Sequence, residues 1–83
     1  MELEVKTNNL RLKRGNTFIK ITKYIISNLI LDLINPQVKI EVELYKDDLL
    51  VDTRYIYFSE TTGEVNVDNL IIQTKEILSN GEI

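Results

Sequence analysis

Cysteine, histidine and tryptophan are absent from this sequence, and proline occurs once. Without cysteine there are no disulfide staples and no thiolate nucleophile. Without histidine there is no imidazole base, and the usual transition-metal ligands go with the pair. No apolar run approaches the roughly 20 residues needed to cross a bilayer. Met1-Glu2-Leu3-Glu4 lacks the basic start and apolar stretch of a signal peptide. The expectation is a soluble, cytoplasmic protein with no membrane partner, no cofactor and no metal.

At 83 residues the chain has the length of one domain, residues 1–83. A chain of this size buries only about two-thirds of its unfolded surface, so its margin over conformational entropy is thin. With no disulfide or metal to add to it, self-association is the remaining support. The net charge of −3 is unevenly spread. Residues 1–34 carry six basic and three acidic side chains, and residues 35–83 carry four basic and ten acidic ones. Such a dipolar chain suits head-to-tail association as well as an anionic partner. Richness in Ile, Asn and Lys with little Ala matches coding by an AT-rich genome, such as that of a low-GC bacterium or its phage.

The segment Val38-Lys39-Ile40-Glu41-Val42-Glu43-Leu44 alternates apolar and charged residues with period two, as a half-buried strand requires. It leads through Lys46-Asp47-Asp48 into Leu49 to Phe58, dense in β-formers, and so predicts a hairpin. With Asp47 and Asp48 as the loop, Leu44 falls opposite Val51, Val42 opposite Thr53 and Ile40 opposite Tyr55. On the other face Glu41 then meets Arg54 favourably and Glu43 meets Asp52 unfavourably. A second hairpin is predicted earlier, with Leu10, Leu12, Ile19 and Ile21 on one face. There Gly15-Asn16 sits where a type II′ turn wants glycine first. Residues 2–6 form a short strand or an arm, since Thr7-Asn8-Asn9 reads as a turn or break.

The stretch from Tyr24 to Ile34 satisfies either period. As a helix over residues 22–34 it gathers its polar residues on one side and ends at Asn35-Pro36. As strand, the preferred reading, it has Ser27-Asn28 to turn the chain, and a further turn at Asn35-Pro36-Gln37 brings Leu29, Leu31 and Leu33 alongside Ile40, Val42 and Leu44. Ser59 to Glu64 is polar and aperiodic, a solvated loop. Val67, Leu70, Ile71, Thr74, Ile77 and Leu78 then recur at helical spacing. Asp68 is placed to cap a helix from about Asp68 to Ser79, and Asn80-Gly81 to stop it. The fold class expected is α+β: an antiparallel meander of about four or five strands with a C-terminal helix, the alternative carrying a second helix at residues 22–34.

Only carboxylates, hydroxyls, lysines and tyrosines remain for catalysis, and none forms a recognisable constellation. The acids from Asp47 to Asp52 lack the ligand spacing and glycine of a calcium loop. Ser59 has no histidine to activate it and no glycine-rich elbow to present it. Gly15, among Lys13, Arg14 and Thr17, lacks the rest of a P-loop and reads as a turn glycine. The expected protein is not an enzyme.

On the predicted sheet one face collects Val38, Ile40, Val42, Leu44, Val51, Tyr55 and Tyr57, and the other carries Tyr45, Leu50, Ile56 and Phe58. One helix shields one face, and the residual patch has the character of an interface. The leading expectation is therefore a non-catalytic protein-interaction or assembly subunit, self-associating as a dimer or larger or binding another protein. Its interface residues are Tyr45, Leu50, Arg54, Ile56 and Phe58. A phage or mobile-element protein, as particle component or inhibitor of a host protein acting in the host cytoplasm, fits the size. The alternative is a single-stranded nucleic-acid-binding module. In it Arg11, Lys13, Arg14, Lys20 and Lys23 track phosphates and Phe18 or Tyr24 stacks a base. The acidic balance of the whole chain weighs against this second reading.

Overall fold

The computed structural model of the chain describes residues 2–32, 34, 37–59 and 66–83. Four strands, β1 (Leu3–Arg14), β2 (Thr17–Asp32), β3 (Gln37–Lys46) and β4 (Leu49–Ser59), precede one helix, α1 (Val67–Leu78). The strands pair in chain order as an antiparallel meander. This is the α+β arrangement that the hydrophobic patterning predicts. The helical alternative for residues 22–34 is overturned, because β2 is continuous extended chain to Asp32. Ser27-Asn28 is a bulge rather than a turn. Leu33, Asn35, Pro36 and the polar run Glu60 to Glu64 lie outside the described residues.

Each of the longer strands holds apolar residues of both parities, and each is reconciled by a local slip. Leu3 and Val5 pair with Ile26 and Tyr24, whereas Leu10 and Leu12 pair with Ile21 and Ile19, with the register shifting between Lys6 and Leu10. Thr7-Asn8-Asn9 is thus an irregularity inside β1, not its start. In β2 the shift after Ile26 leaves Ser27 as the extra residue and sets Leu29 opposite Ile40 and Leu31 opposite Val38. An extra residue bends its strand and raises local twist. Sixteen residues of straight strand would span about 50 Å, yet the longest dimension of the molecule is 38 Å. The sheet is therefore curled.

The third slip decides the face of β4. Tyr45 pairs with Leu50 and Lys46 with Leu49, as a loop at Asp47-Asp48 requires, but Leu44 then pairs with Asp52 and Val51 is left over. Beyond it every pairing differs by one from the predicted register, the even one that runs on from the turn without a bulge. Val42 meets Arg54, Glu41 meets Tyr55, Ile40 meets Ile56 and Val38 meets Phe58. The predicted pairs Leu44–Val51, Val42–Thr53, Ile40–Tyr55, Glu41–Arg54 and Glu43–Asp52 do not form. The reason is physical: a one-residue slip exchanges the faces of a strand. Here it sends Ile56 and Phe58 to the core, turns two phenol hydroxyls toward water and relieves the clash of Glu43 with Asp52.

The core is Leu10, Leu12, Ile21, Tyr24, Ile26, Val38, Ile40, Val42 and Leu44 of the sheet closed by Leu70 and Leu78 of α1. Fully burying an aliphatic side chain of this size contributes roughly 1.5–3 kcal/mol. Thr74 is buried among them with its hydroxyl donating to the Leu70 carbonyl at 2.8 Å. Burial also pushes the Tyr24 phenol above its ordinary pKa. Asn66, not Asp68, caps α1, its Oδ1 accepting from the Asn69 N–H at 3.1 Å, while Asp68 sits in the first turn where the helix dipole favours a negative charge. After α1, Gly81 at φ +89 turns the chain onto the outer edge of β1. Arg11 N–H donates to the Gly81 carbonyl, Ile83 N–H to that of Arg11, and Lys13 N–H to that of Ile83, at 2.9–3.0 Å. The tail thus pairs in parallel with β1 through one bridge, Arg11 to Glu82, and covers the Arg11–Lys13 stretch of that edge.

Candidate interaction surface

The face of the sheet opposite α1 is organised in cross-strand rows. Arg11 pairs with Lys20, and Lys13 with Phe18. Further along lie Lys6, Lys23, Tyr45 and Leu50; then Glu4, Ile25, Glu43 and Thr53; then Asn28, Glu41 and Tyr55; and last Ile30, Lys39 and Tyr57. Among the described residues no element covers this face. Phe18 (48 %), Leu50 (47 %), Tyr55 (41 %) and Tyr57 (59 %) are its most exposed apolar side chains.

Charges hold the rows together. Glu41 accepts from Ser27 Oγ at 2.8 Å on one carboxylate oxygen and from the Tyr55 hydroxyl at 3.1 Å on the other. The Tyr55 phenol is raised in pKa chiefly by that bond to Glu41. Lys39 lies 5.0 Å above the Tyr55 ring and Lys23 lies 5.1 Å above that of Tyr45. Lys23 also pairs with Asp48 at 3.2 Å and Glu4 at 3.3 Å, and its ammonium is raised in pKa by those bonds, Asp48 first. Thr22 pins the β3–β4 turn from the side, its Oγ1 accepting from the Asp47 N–H at 2.7 Å.

The residues expected at an interface divide between the two faces. Tyr45 and Leu50 stand on the open face, beside Tyr55 and Tyr57, which the even register had assigned to the core. Ile56 and Phe58 stand on the helix side as half-buried neighbours of the core. Arg54 is on that side too, its Nε donating to Asp52 at 2.8 Å. The missed signal was Val51, whose apolarity in an alternating strand gives no hint that it is the extra residue.

The basic residues expected to follow phosphates are also dispersed. Arg11 lies 4.4 Å over the Phe18 ring and 3.7 Å from Glu82. Asn8, Asn9, Leu10, Arg11, Phe18 and Lys20 line a shallow, open depression of about 310 Å³. Arg14 points to the other face, toward β4, and Lys23 is paired twice. Lys13 and Lys20 have no ion pair among the described residues.

The backbone of β4 completes the surface. Carbonyls of Tyr45 and Glu41 accept from Thr22 and Ser27 of β2, so odd-numbered residues of β3 turn their polar groups to β2 and even-numbered ones to β4. In β4 it is therefore Arg54, Ile56 and Phe58 that exchange ladder bonds with β3. Tyr55, Tyr57 and Ser59 direct their N–H and C=O groups outward, away from the sheet. The Thr53 N–H follows the same alternation and is taken by Asp52 Oδ1 at 2.8 Å.

Among the described residues no group of three or more acids is placed to hold a metal ion, and no helix is long and apolar enough to cross a membrane. Comparison with protein-family models, with curated proteins and with solved structures finds no match to this chain.

Proposed function

We propose that this chain is a non-catalytic protein-interaction or assembly subunit that associates with copies of itself through the β4 side of its sheet. The observation that carries this reading is the convergence, among the described residues, of an uncovered sheet face and an open sheet edge on one segment, Tyr55 to Ser59 of β4. Tyrosine and phenylalanine supply contact area at low entropic cost, and aromatic residues dominate the energetics of interfaces. A single 12-residue helix covers one face only. A domain with no cysteine has further reason to gain burial from a second copy. A role in the cytoplasm, including that of a phage-infected host, accords with the absence of disulfides.

A mass measurement across a concentration series tests the reading, and Tyr57→Ala should weaken association more than Lys46→Ala. Single-stranded nucleic acid is the competing partner. Arg11 already covering Phe18, and Lys23 already held by two carboxylates, favour self-association over it. Binding of an oligonucleotide that weakens steeply with salt, and that Lys13→Ala and Lys20→Ala each reduce, would reverse that preference.

A further inference from the structure

We infer that two copies pair antiparallel along β4, edge to edge, in a register centred on Tyr57, making one continuous eight-stranded sheet; this rests on the self-association proposed above. A sheet edge left unpaired offers a row of free N–H and C=O groups, and proteins usually guard it with charge, proline, bulges or a covering segment. The two edges of this sheet differ in that respect. On β1 the tail occupies the outward groups of Arg11 and Lys13, and the N-terminal half is interrupted at Thr7-Asn8-Asn9 and bears Glu4 and Lys6. On β4 the first half is blunted by the extra residue Val51 and by Asp52, which takes the Thr53 N–H. The second half, Tyr55-Ile56-Tyr57-Phe58-Ser59, has no charge, no proline and no bulge, and nothing among the described residues lies along it.

With the β1 edge occupied at Arg11 and Lys13 and interrupted at Thr7-Asn8-Asn9, a head-to-tail stack of β1 on β4 is blocked where the tail lies. Joining β4 to β4 uses the same patch twice and closes as a dimer. Centring on Tyr57 engages all three outward residues of this half of β4, setting Tyr57 against the partner's Tyr57 and Tyr55 against the partner's Ser59. It leaves the occupied Thr53 outside. The same register puts Ile56 against the partner's Phe58 on the helix side, so two half-buried core-edge residues complete their burial. On the open side it draws the exposed tyrosines of both copies into one strip.

Amide hydrogen exchange on the unaltered chain, at concentrations above and below the association midpoint, tests the pairing together with its mass. The expected result is a dimer in which the N–H groups of Tyr55, Tyr57 and Ser59 become protected on association, by at least about tenfold. The substitution Tyr57→Pro removes an outward N–H that β3 does not use, so the monomer should keep its fold while the dimer dissociation constant rises at least about tenfold. A dimer whose three amides exchange as fast as in the monomer would overturn the edge pairing while leaving self-association standing, the contact then lying on the open face. A monomer at every concentration would overturn both.

Discussion

Arg14, at the end of β1, donates to the Val51 carbonyl of β4 at 3.2 Å, although β1 and β4 are the outermost strands of the sheet. The contact exists because the slips in β1, β2 and β4 curl the sheet until its two edges approach at this end. Arg14 also lies 3.8 Å from Asp52, which accepts from Arg54 Nε at 2.8 Å, so a polar cluster closes the end of the core.

Asp52 is held below the ordinary carboxylate pKa of 3.8, first by its bond to Arg54, then by the Thr53 N–H and by the charges of Arg54 and Arg14. A carboxylate with a depressed folded pKa contributes stability that is present above its unfolded pKa and is lost as pH falls through the folded value. Asp52→Asn is therefore expected to cost about 1 kcal/mol at neutral pH. Urea titrations of both chains should converge below pH 3.8 as that difference disappears.

The inverted face of β4 has its own signature in stability. Ile56→Ala is expected to cost about 1–2 kcal/mol, less than the roughly 2–5 kcal/mol of a fully buried position such as Ile40→Ala. Tyr55→Ala, on the open face, should cost the monomer least of the three. Denaturant midpoints measured at low concentration order the three, and the even register predicts Tyr55 above Ile56.

Which parts of this were legible follows from what each signal measures. Strand identity in Val38 to Leu44 was readable because alternation is a local property, and so was the helix, whose spacing of Leu70, Thr74 and Leu78 matches the buried face. Gly15, at φ +61, announced its turn. Val51 and Ser27 did not announce their bulges, since an extra apolar or small polar residue looks like any other in such a strand and only the face buried in the folded sheet decides it. The assignment of Ile56, Phe58, Tyr55 and Tyr57 to faces therefore went astray by one residue. The tail was illegible for a related reason: Glu82-Ile83 carries no periodicity, and only the nearness of β1 gives it a bridging partner.

Asp47 adopts φ +57, the left-handed region that side chains other than glycine enter at a cost. Its N–H bond to Thr22 is made by the backbone and survives substitution. Asp47→Gly is expected to stabilise the fold by about 0.5 kcal/mol, the relief of strain exceeding the added freedom of the unfolded chain. Thermal unfolding checks this, and a lower midpoint would contradict it.

The tail guards β1. Deleting residues 81–83 exposes the outward groups of Arg11 and Lys13 and removes Ile83 from the core rim. The shortened chain is expected to be less stable by about 1–3 kcal/mol. It should also assemble beyond a dimer, because both edges are then open to pairing. Sedimentation of the two chains side by side distinguishes a closed dimer from an open-ended series.

The most direct test of self-association through β4 is the solution mass by light scattering across a concentration series, at low and moderate salt, for the unaltered chain and for Tyr57→Pro. The account predicts a rise to twice the chain mass, little affected by salt because Tyr55 to Ser59 carries no charge, and a folded variant that stays at the mass of one chain. A single-chain mass for the unaltered protein at every concentration would contradict it.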